Sequence, residues 1–477
     1  MAQLLDELVT FKDILDFKFD SEDFHKKAPL LAKADLARTP YKKLLKELLS
    51  NNVNGYSHQF KRSELELVRV FKGSELLNWN DLKSFLKASR YARLNENNKF
   101  NYKFEPIAPF LLPTRPFSPE EISELVPECI GFGKVPLELW ARYVRVLRGV
   151  WINPVLLNVE TEHDEEKQKG ELKLPSVTVG VKKNKKILVA ITNLATSDKC
   201  WAASACNKPE LSLERYTQLS DLVNQAIKLK PKKPHYLIMP ELSLPLRWVN
   251  SISNRLQASG ISLIAGTEYR HTATDIIYSQ ACLTLTDARL GYPCSLRIWQ
   301  PKLEPAVGED KDLISKFGKS WKKFSDKSDK EKKKPVYSHN GFSFGVMVCS
   351  ELQNSKARIA FQGQVDALLV LAWNKDLDTF SSLVESAALD IHAYTILVNN
   401  RNYGDSRVRV PAKESFERDL ARLRGGENDF CVMVELDIEK LRAFQSRAKR
   451  WAEPDDPFKP TPEGFDISTA RKHLPPK

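Results

Sequence analysis

No apolar run in this 477-residue chain approaches the roughly 18 residues that a membrane-spanning helix requires. The N-terminus, Met1 to Glu7, is acidic and lacks the basic start and apolar stretch of a secretory leader, so a cytoplasmic protein without membrane contact is expected. The seven cysteines, Cys129, Cys200, Cys206, Cys282, Cys294, Cys349 and Cys431, are scattered and odd in number, and no C-x-x-C pair occurs. That pattern argues against a disulfide framework or a zinc ribbon, and most of these thiols are expected to be small buried groups. The eight histidines are dispersed and none forms H-E-x-x-H. No internal repeat is evident. Neither a metal nor an organic cofactor is expected.

What is present fits a globular chain with room for two or three domains: 42% hydrophobic and 28% charged residues. The formal net charge is +12. The first 180 residues carry roughly +1, so nearly all of the excess lies behind them. Part of it is a lysine-rich stretch, Lys311 to Lys334. Such a surface attracts polyanions, so nucleic acid is a possible partner, although a solvated loop explains the same composition. Leu313, Ile314, Phe317, Trp321 and Phe324 keep helical spacing, which predicts an amphipathic first half. Ser325 to Lys334 has no apolar residue and is expected to be exposed and mobile.

Residues 1–158 read as a mainly helical accessory domain. Leu44, Leu45, Leu48 and Leu49 fall three and four apart with lysines between them, and the same spacing recurs at 63–71 and 80–94. Ser118-Pro119-Glu120-Glu121 has the form of a helix start, and a strongly apolar helix ends near Trp151. A charged linker is assigned to 159–180. From 181 to 445, strand-length apolar runs alternate with helical patterns. Strands are predicted at 187–195, 235–242 and 261–269, and later in SQACLTLTD, FSFGVMVCSE, VDALLVLAW and YTILVNN. Several are almost wholly apolar, as strands covered on both faces are. The alternation argues an α/β fold. A basic, Pro-rich tail, 446–477, is expected to wrap the surface or fray.

Three short motifs close strands in this second region: Met239-Pro240-Glu241, Gln300-Pro301-Lys302 and Val348-Cys349-Ser350-Glu351. Ligands of open α/β sheets bind at the carboxyl ends of strands. A free thiol is a few per cent thiolate near neutral pH and needs a base, which Glu241 can be if burial raises its pKa. Attack on an amide or nitrile carbon leaves negative charge on oxygen or nitrogen. Lys302 and backbone N–H groups near Ser350 can stabilise that charge.

Together, and in this order, Glu241, Lys302 and Cys349 resemble the carbon–nitrogen hydrolase superfamily, the nitrilase and amidase group. Its Glu follows a Pro at a strand end, and an acid commonly follows its Cys by two residues, as Glu351 does here. The resemblance covers about 183 to 445. It implies a nitrilase-like α-β-β-α sandwich and hydrolysis of a non-peptide carbon–nitrogen bond in an amide, nitrile or carbamoyl group through an acyl-thioester. It also implies a homodimer or larger assembly. A second glutamate, orienting the lysine, would be Glu309, with Glu304 the competing choice. Glu351, Trp373 and Asn374 would line the substrate pocket, and Asp390 with Asn399 or Asn400 match later positions.

This sequence departs from the pattern in three ways. The interval between Lys302 and Cys349 is longer than usual, the first strand lacks the usual Gln near its end, and Ser350 replaces an aromatic residue. The extra N-terminal region and the basic insert also resemble nitrilase-like domains attached to reverse transcriptases of bacterial antiviral defence. That likeness implies an alternative: an assembly or docking module for such an enzyme, with nucleic-acid contact and little constitutive hydrolysis. No Tyr-x-Asp-Asp polymerase motif is present.

Overall fold

The computed structural model describes residues 117–130, 134–148, 176–180, 184–324, 333–447 and 453–473. The chain divides into two compact units, Met1–Cys129 with Lys134–Val159, and Ile130–Gly133 with Glu160–Lys477. The helical readings within 1–116, Trp151 and the charged segment 160–173 lie outside the described residues.

In the first unit, helix α1 (Pro119–Leu125) begins as its sequence predicts. Ser118 accepts from the Glu121 N–H, Glu121 answers on the Ser118 N–H, and Pro119 occupies the first turn. Helix α2 (Lys134–Arg148) buries Trp140, Tyr143 and Val144, and the Trp140 indole donates to the Pro119 carbonyl at 3.0 Å.

Among the described residues, the second unit holds two seven-stranded sheets. One contains β2 (Lys186–Asn193), β3 (Tyr236–Leu244), β4 (Ser262–His271), β5 (Ile276–Asp287), β6 (Cys294–Pro301), β7 (Ser320–Trp321) and β14 (Phe430–Asp437). Its order is β14-β2-β3-β4-β5-β6, with β7 beside β5 and a parallel centre of β2, β3 and β4. The other runs β1 (Ser176–Val179), β8 (Val336–His339), β9 (Phe342–Val348), β10 (Ala367–Ala372), β11 (Tyr394–Asn399), β12 (Ser406–Arg409) and β13 (Asp419–Leu423), with β9, β10 and β11 parallel. The near-continuous apolar sequences of β3, β10 and β11 are buried along their whole length, as central strands covered on both faces must be.

Helices α4 (Leu213–Lys228) and α5 (Val249–Gln257) cover the outer face of the first sheet. Leu219, Val223, Ile252 and Leu256 pack there on Leu237 and Met239. Each such side chain, fully buried, stabilises by about 1.5–3 kcal/mol. Helix α8 (Leu377–Asp390) packs against β11 and β12 and buries Phe380, Val384 and Ala387. Between the sheets, Gln300 Nε2 donates to the Val346 carbonyl at 2.8 Å, and the Tyr337 hydroxyl donates to Gln300 Oε1 at 2.9 Å. The layers therefore run helix, sheet, sheet, helix, the α/β class read from the sequence.

One expectation needs correction, and of the two alternatives given for the tail the structure favours the first. The stretch from Lys311 to Lys334 is not uniformly exposed. Its helix, α6 (Glu309–Phe317), ends at Gly318, whose φ of 63° favours glycine and breaks the helical spacing before Trp321. Leu313, Trp321 and Lys334 are buried, while 325–332 lie outside the described residues. The tail, in its described part, does not fray. Arg471 is 1% exposed and bonds Asp366, the Gly363 carbonyl and Gln445.

Candidate functional site

Pro240 and Glu241 sit where the β3–β4 register shifts, between Met239 and Leu244. Proline has no N–H to give a ladder bond, which suits a bulge. Leu242 follows at φ 57°, and the Ser243 hydroxyl closes the bulge on the Pro240 carbonyl at 2.8 Å. The neighbouring strand accommodates this through Gly266, where a Cβ would fall 2.3 Å from the Glu241 Cα. Lys302 follows the last residue of β6. Its N–H is bonded to the Ser279 carbonyl at 2.9 Å, which fixes the root of the side chain. Cys349 directly follows β9 and opens a 3₁₀ turn, Cys349–Gln353, at φ 48°. A non-glycine residue in that region is strained by about 1–3 kcal/mol and persists only where its surroundings enforce it.

These three positions come together. The Lys302 ammonium, with the residue 1% exposed, lies 3.2 Å from Glu241 Oε1 and 2.8 Å from Glu309 Oε2. Glu309, the first residue of α6, makes this contact, whereas Glu304 is exposed. Glu309 also accepts from the Ala306 N–H and from the Tyr269 hydroxyl, both at 2.8 Å, and Trp201 Nε1 donates to Tyr269 at 3.1 Å. The Ser279 hydroxyl donates to Glu241 Oε1 at 3.0 Å. Cys349 is buried within electrostatic range of Glu241, Lys302 and Glu309, and its thiol bonds the Trp373 backbone.

Burial works against the ammonium of Lys302, but Glu241 and Glu309 outweigh it and hold its pKa above the usual lysine value. Burial and the Glu309 charge raise Glu241 despite the pull of Lys302. Burial also opposes the Glu309 carboxylate, yet Lys302 and the three hydrogen bonds it accepts leave its pKa lowered. The two carboxylates are thus pushed apart, one toward a base that holds its proton more tightly and one toward a permanent anion. Burial and the Glu241 charge push the Cys349 thiol up, with Lys302 pulling against them. Within this group the Cys349 thiol form is favoured over the thiolate.

The other sequence candidates fall beside this group in different ways. Both Glu351 carboxylate oxygens are engaged: one accepts from the Val348 N–H at 2.9 Å, the other from the Leu303 N–H at 3.3 Å and from Lys334 at 2.6 Å. Trp373 stands 5.8 Å from Trp201, ring centre to ring centre, and its Nε1 is buried without a partner among the described residues. The Asn374 side chain bonds the Asp376 carbonyl, and its N–H is held by Asn399 at 2.8 Å. Asn400 bonds both backbone groups of Thr196, and Asp390 pairs with Ser386 and Arg358. Sequence reasoning missed Ser279, Tyr269, Trp201 and Lys334. Ser279 and Tyr269 were findable in principle, because strand alternation places every second residue of β4 and β5 on one face.

Among the described residues, no group of three or more His, Cys, Asp or Glu side chains is placed to hold a metal ion, and no helix is long and apolar enough to cross a membrane.

No family model and no curated protein matches the chain. Solved structures similar to it include an amidase from Nesterenkonia sp., at 15% identity and TM-score 0.38, covering 54% of this chain and 93% of that one. Another is Nit3 from Saccharomyces cerevisiae, a member of branch 10 of the nitrilase superfamily, at 17% identity and TM-score 0.41, covering 57% and 98%. A mutant of the amidase from Nesterenkonia sp. AN1, at 15% identity and TM-score 0.38, covers 56% of this chain and 97% of that one. It shows covalent addition of the acetamide moiety of fluoroacetamide at its active site cysteine.

Proposed function

We propose that the second unit is a hydrolase of a non-peptide carbon–nitrogen bond in a small amide, nitrile or carbamoyl compound. One observation carries this reading: a fully buried lysine pinned between two carboxylates beside a strained cysteine at a strand end. A purely structural ion pair has no use for the thiol, and burying two carboxylates around one ammonium costs stability, a cost met most often at functional sites.

For an amide, the steps are these. As Cys349 Sγ attacks the carbonyl carbon, Glu241 takes the thiol proton and the carbonyl π electrons move onto oxygen. The Lys302 ammonium faces that oxyanion, and Glu309 holds the lysine charged and in place. Collapse expels the amine, which receives the proton from Glu241, and leaves an acyl-thioester on Cys349. Water then attacks the thioester and Glu241 takes its proton. The acid is released and the thiolate is reprotonated. In this scheme Ser279 orients Glu241, and Glu351 acts on the cysteine turn, not on substrate.

The test is intact-mass spectrometry after exposure to a panel of primary amides, nitriles and carbamoyl compounds. An acyl adduct on Cys349 that disappears in Cys349→Ala supports the reading. A folded protein that forms no adduct and releases no ammonia across the panel contradicts it.

A further inference from the structure

The lysine-rich insert begins beyond Lys302 and ends at Lys334, a residue whose composition context reads as solvated. Lys334 is nonetheless buried. Its ammonium donates to the Pro301 carbonyl at 2.8 Å and pairs with Glu351 at 2.6 Å. Pro301 is the residue directly before Lys302, and Glu351 is two residues beyond Cys349. The Glu351 carboxylate in turn accepts from the Val348 N–H, immediately before Cys349, and from the Leu303 N–H, immediately after Lys302. Three bonds thus converge on one largely buried ion pair, and together they grip the chain on both sides of Lys302 and on both sides of Cys349. Among the described residues the Lys302 ammonium bonds Glu241 and Glu309 and not the Cys349 turn, so its spacing from the thiol is set by this bridge together with the Gln300–Val346 bond further back along the two strands.

We propose that Lys334 is a positioning residue: with Glu351 it forms a clamp that sets the distance and orientation of Lys302 relative to Cys349. It reaches them through the backbone and does not touch the reacting atoms. The charge on Lys334 matters because a hydrogen bond between an ammonium and a carboxylate is shorter and stronger than one between neutral groups. The insert is therefore not an appendage tied on at one end. Its last residue bonds the chain beside the two residues where the chemistry needs fixed spacing. Displacement of a catalytic group by about 1 Å costs on the order of a hundredfold in rate, so loss of the clamp is read in the chemical step before it is read in binding.

The inference rests on the hydrolase reading for its kinetic consequence, but the clamp has its own readout. In Lys334→Met, amide hydrogen exchange should accelerate by about tenfold or more in the peptides holding Leu303 and Val348. Peptides of β3 should remain as in the wild type. The same variant should lose about a hundredfold in kcat on any amide the wild type hydrolyses, with KM nearly unchanged, and Lys334→Arg should restore most of it. If Lys334→Met fails to fold, Glu351→Gln, which keeps the shape and loses the charge, is read in the same two ways. Unchanged exchange at Leu303 and Val348, or faster exchange with unaltered kcat, would overturn the proposal. A wild type that turns over no substrate would sink the hydrolase reading alone, since the exchange result still decides whether the clamp exists.

Discussion

At the scale of single residues, the account turns on which carboxylate is the base. Glu241 and Glu309 touch the same ammonium, yet burial lifts one while hydrogen bonds and Lys302 depress the other. Because Glu241 must be ionised to accept the thiol proton, kcat/KM should fall as the pH drops through a pKa above the usual glutamate range. In Glu241→Gln the acylation step should slow by about a hundredfold or more, and Lys302→Ala should lose a comparable factor through the unsupported oxyanion. Single-turnover kinetics on any accepted amide would check both. The elevated Cys349 thiol also argues against Cys349 being the fastest of the seven to alkylate. Cys206 is the exposed thiol. A generic alkylating reagent should therefore mark Cys206 first, whereas a bound amide should acylate Cys349 alone, read per cysteine by peptide mass spectrometry.

At the scale of elements, the site depends on two places where regular structure is broken. One is the bulge of β3 against Gly266. In Gly266→Ala the new Cβ must displace the Glu241 backbone, because a 2.3 Å approach cannot be tolerated. Overpacking of this kind costs about 1–3 kcal/mol, so the variant should melt several degrees lower, by calorimetry, and should lose acylation beyond what its stability explains. The other is the turn at Cys349, held in its left-handed conformation by Glu351. How far each was legible differs. Glu241, Lys302 and Cys349 could be read because Pro and a polar residue interrupt apolar runs at strand ends. Glu309 is preferred to Glu304 through the family resemblance alone, since the residues themselves do not say where α6 starts. Tyr269 and Ser279 lie on interior faces of β4 and β5, where alternation gives the face but not its neighbour. Strands β12 and β13 are rich in Arg and short of apolar residues, and their pairing is held by ion pairs such as Arg409 with Asp419 at 2.7 Å, so no hydrophobic period announces them. Lys334 was hidden by composition, one buried lysine in a run of solvated ones.

At the scale of the whole molecule, one buried histidine joins the two sheets and a second, His392, packs on Phe444 and Phe458, and burial favours the neutral form of both. His339 Nε2 lies 2.6 Å from the Thr286 carbonyl, so it carries the proton, and Nδ1 is left to accept from the Tyr236 hydroxyl at 2.5 Å. Burial lowers the pKa of His339 to about 4, and that of His392 likewise to about 4. The unfolded chain binds protons at these positions below about 6.5 while the folded chain refuses them until about 4. Stability therefore falls as the pH drops through that window, by up to roughly 3 kcal/mol for each group. Glu241, whose folded pKa is raised, acts with the opposite sign and offsets a part of this loss as it takes up its proton. Melting temperatures should thus decline between pH 6.5 and 4.5, and the decline should be shallower in His339→Gln, provided the variant folds.

The central claim is that Cys349 forms a covalent acyl-enzyme, and the most direct measurement is intact and peptide mass spectrometry of Glu241→Gln and wild type after rapid mixing with a primary amide panel. In the wild type, ammonia is released and a transient mass gain equal to the acyl group maps to Cys349. In Glu241→Gln, the same adduct forms far more slowly, and in Cys349→Ala none forms. A wild-type protein that folds, keeps its melting temperature and shows neither adduct nor ammonia with any member of the panel would contradict the claim and leave the unit as an assembly module.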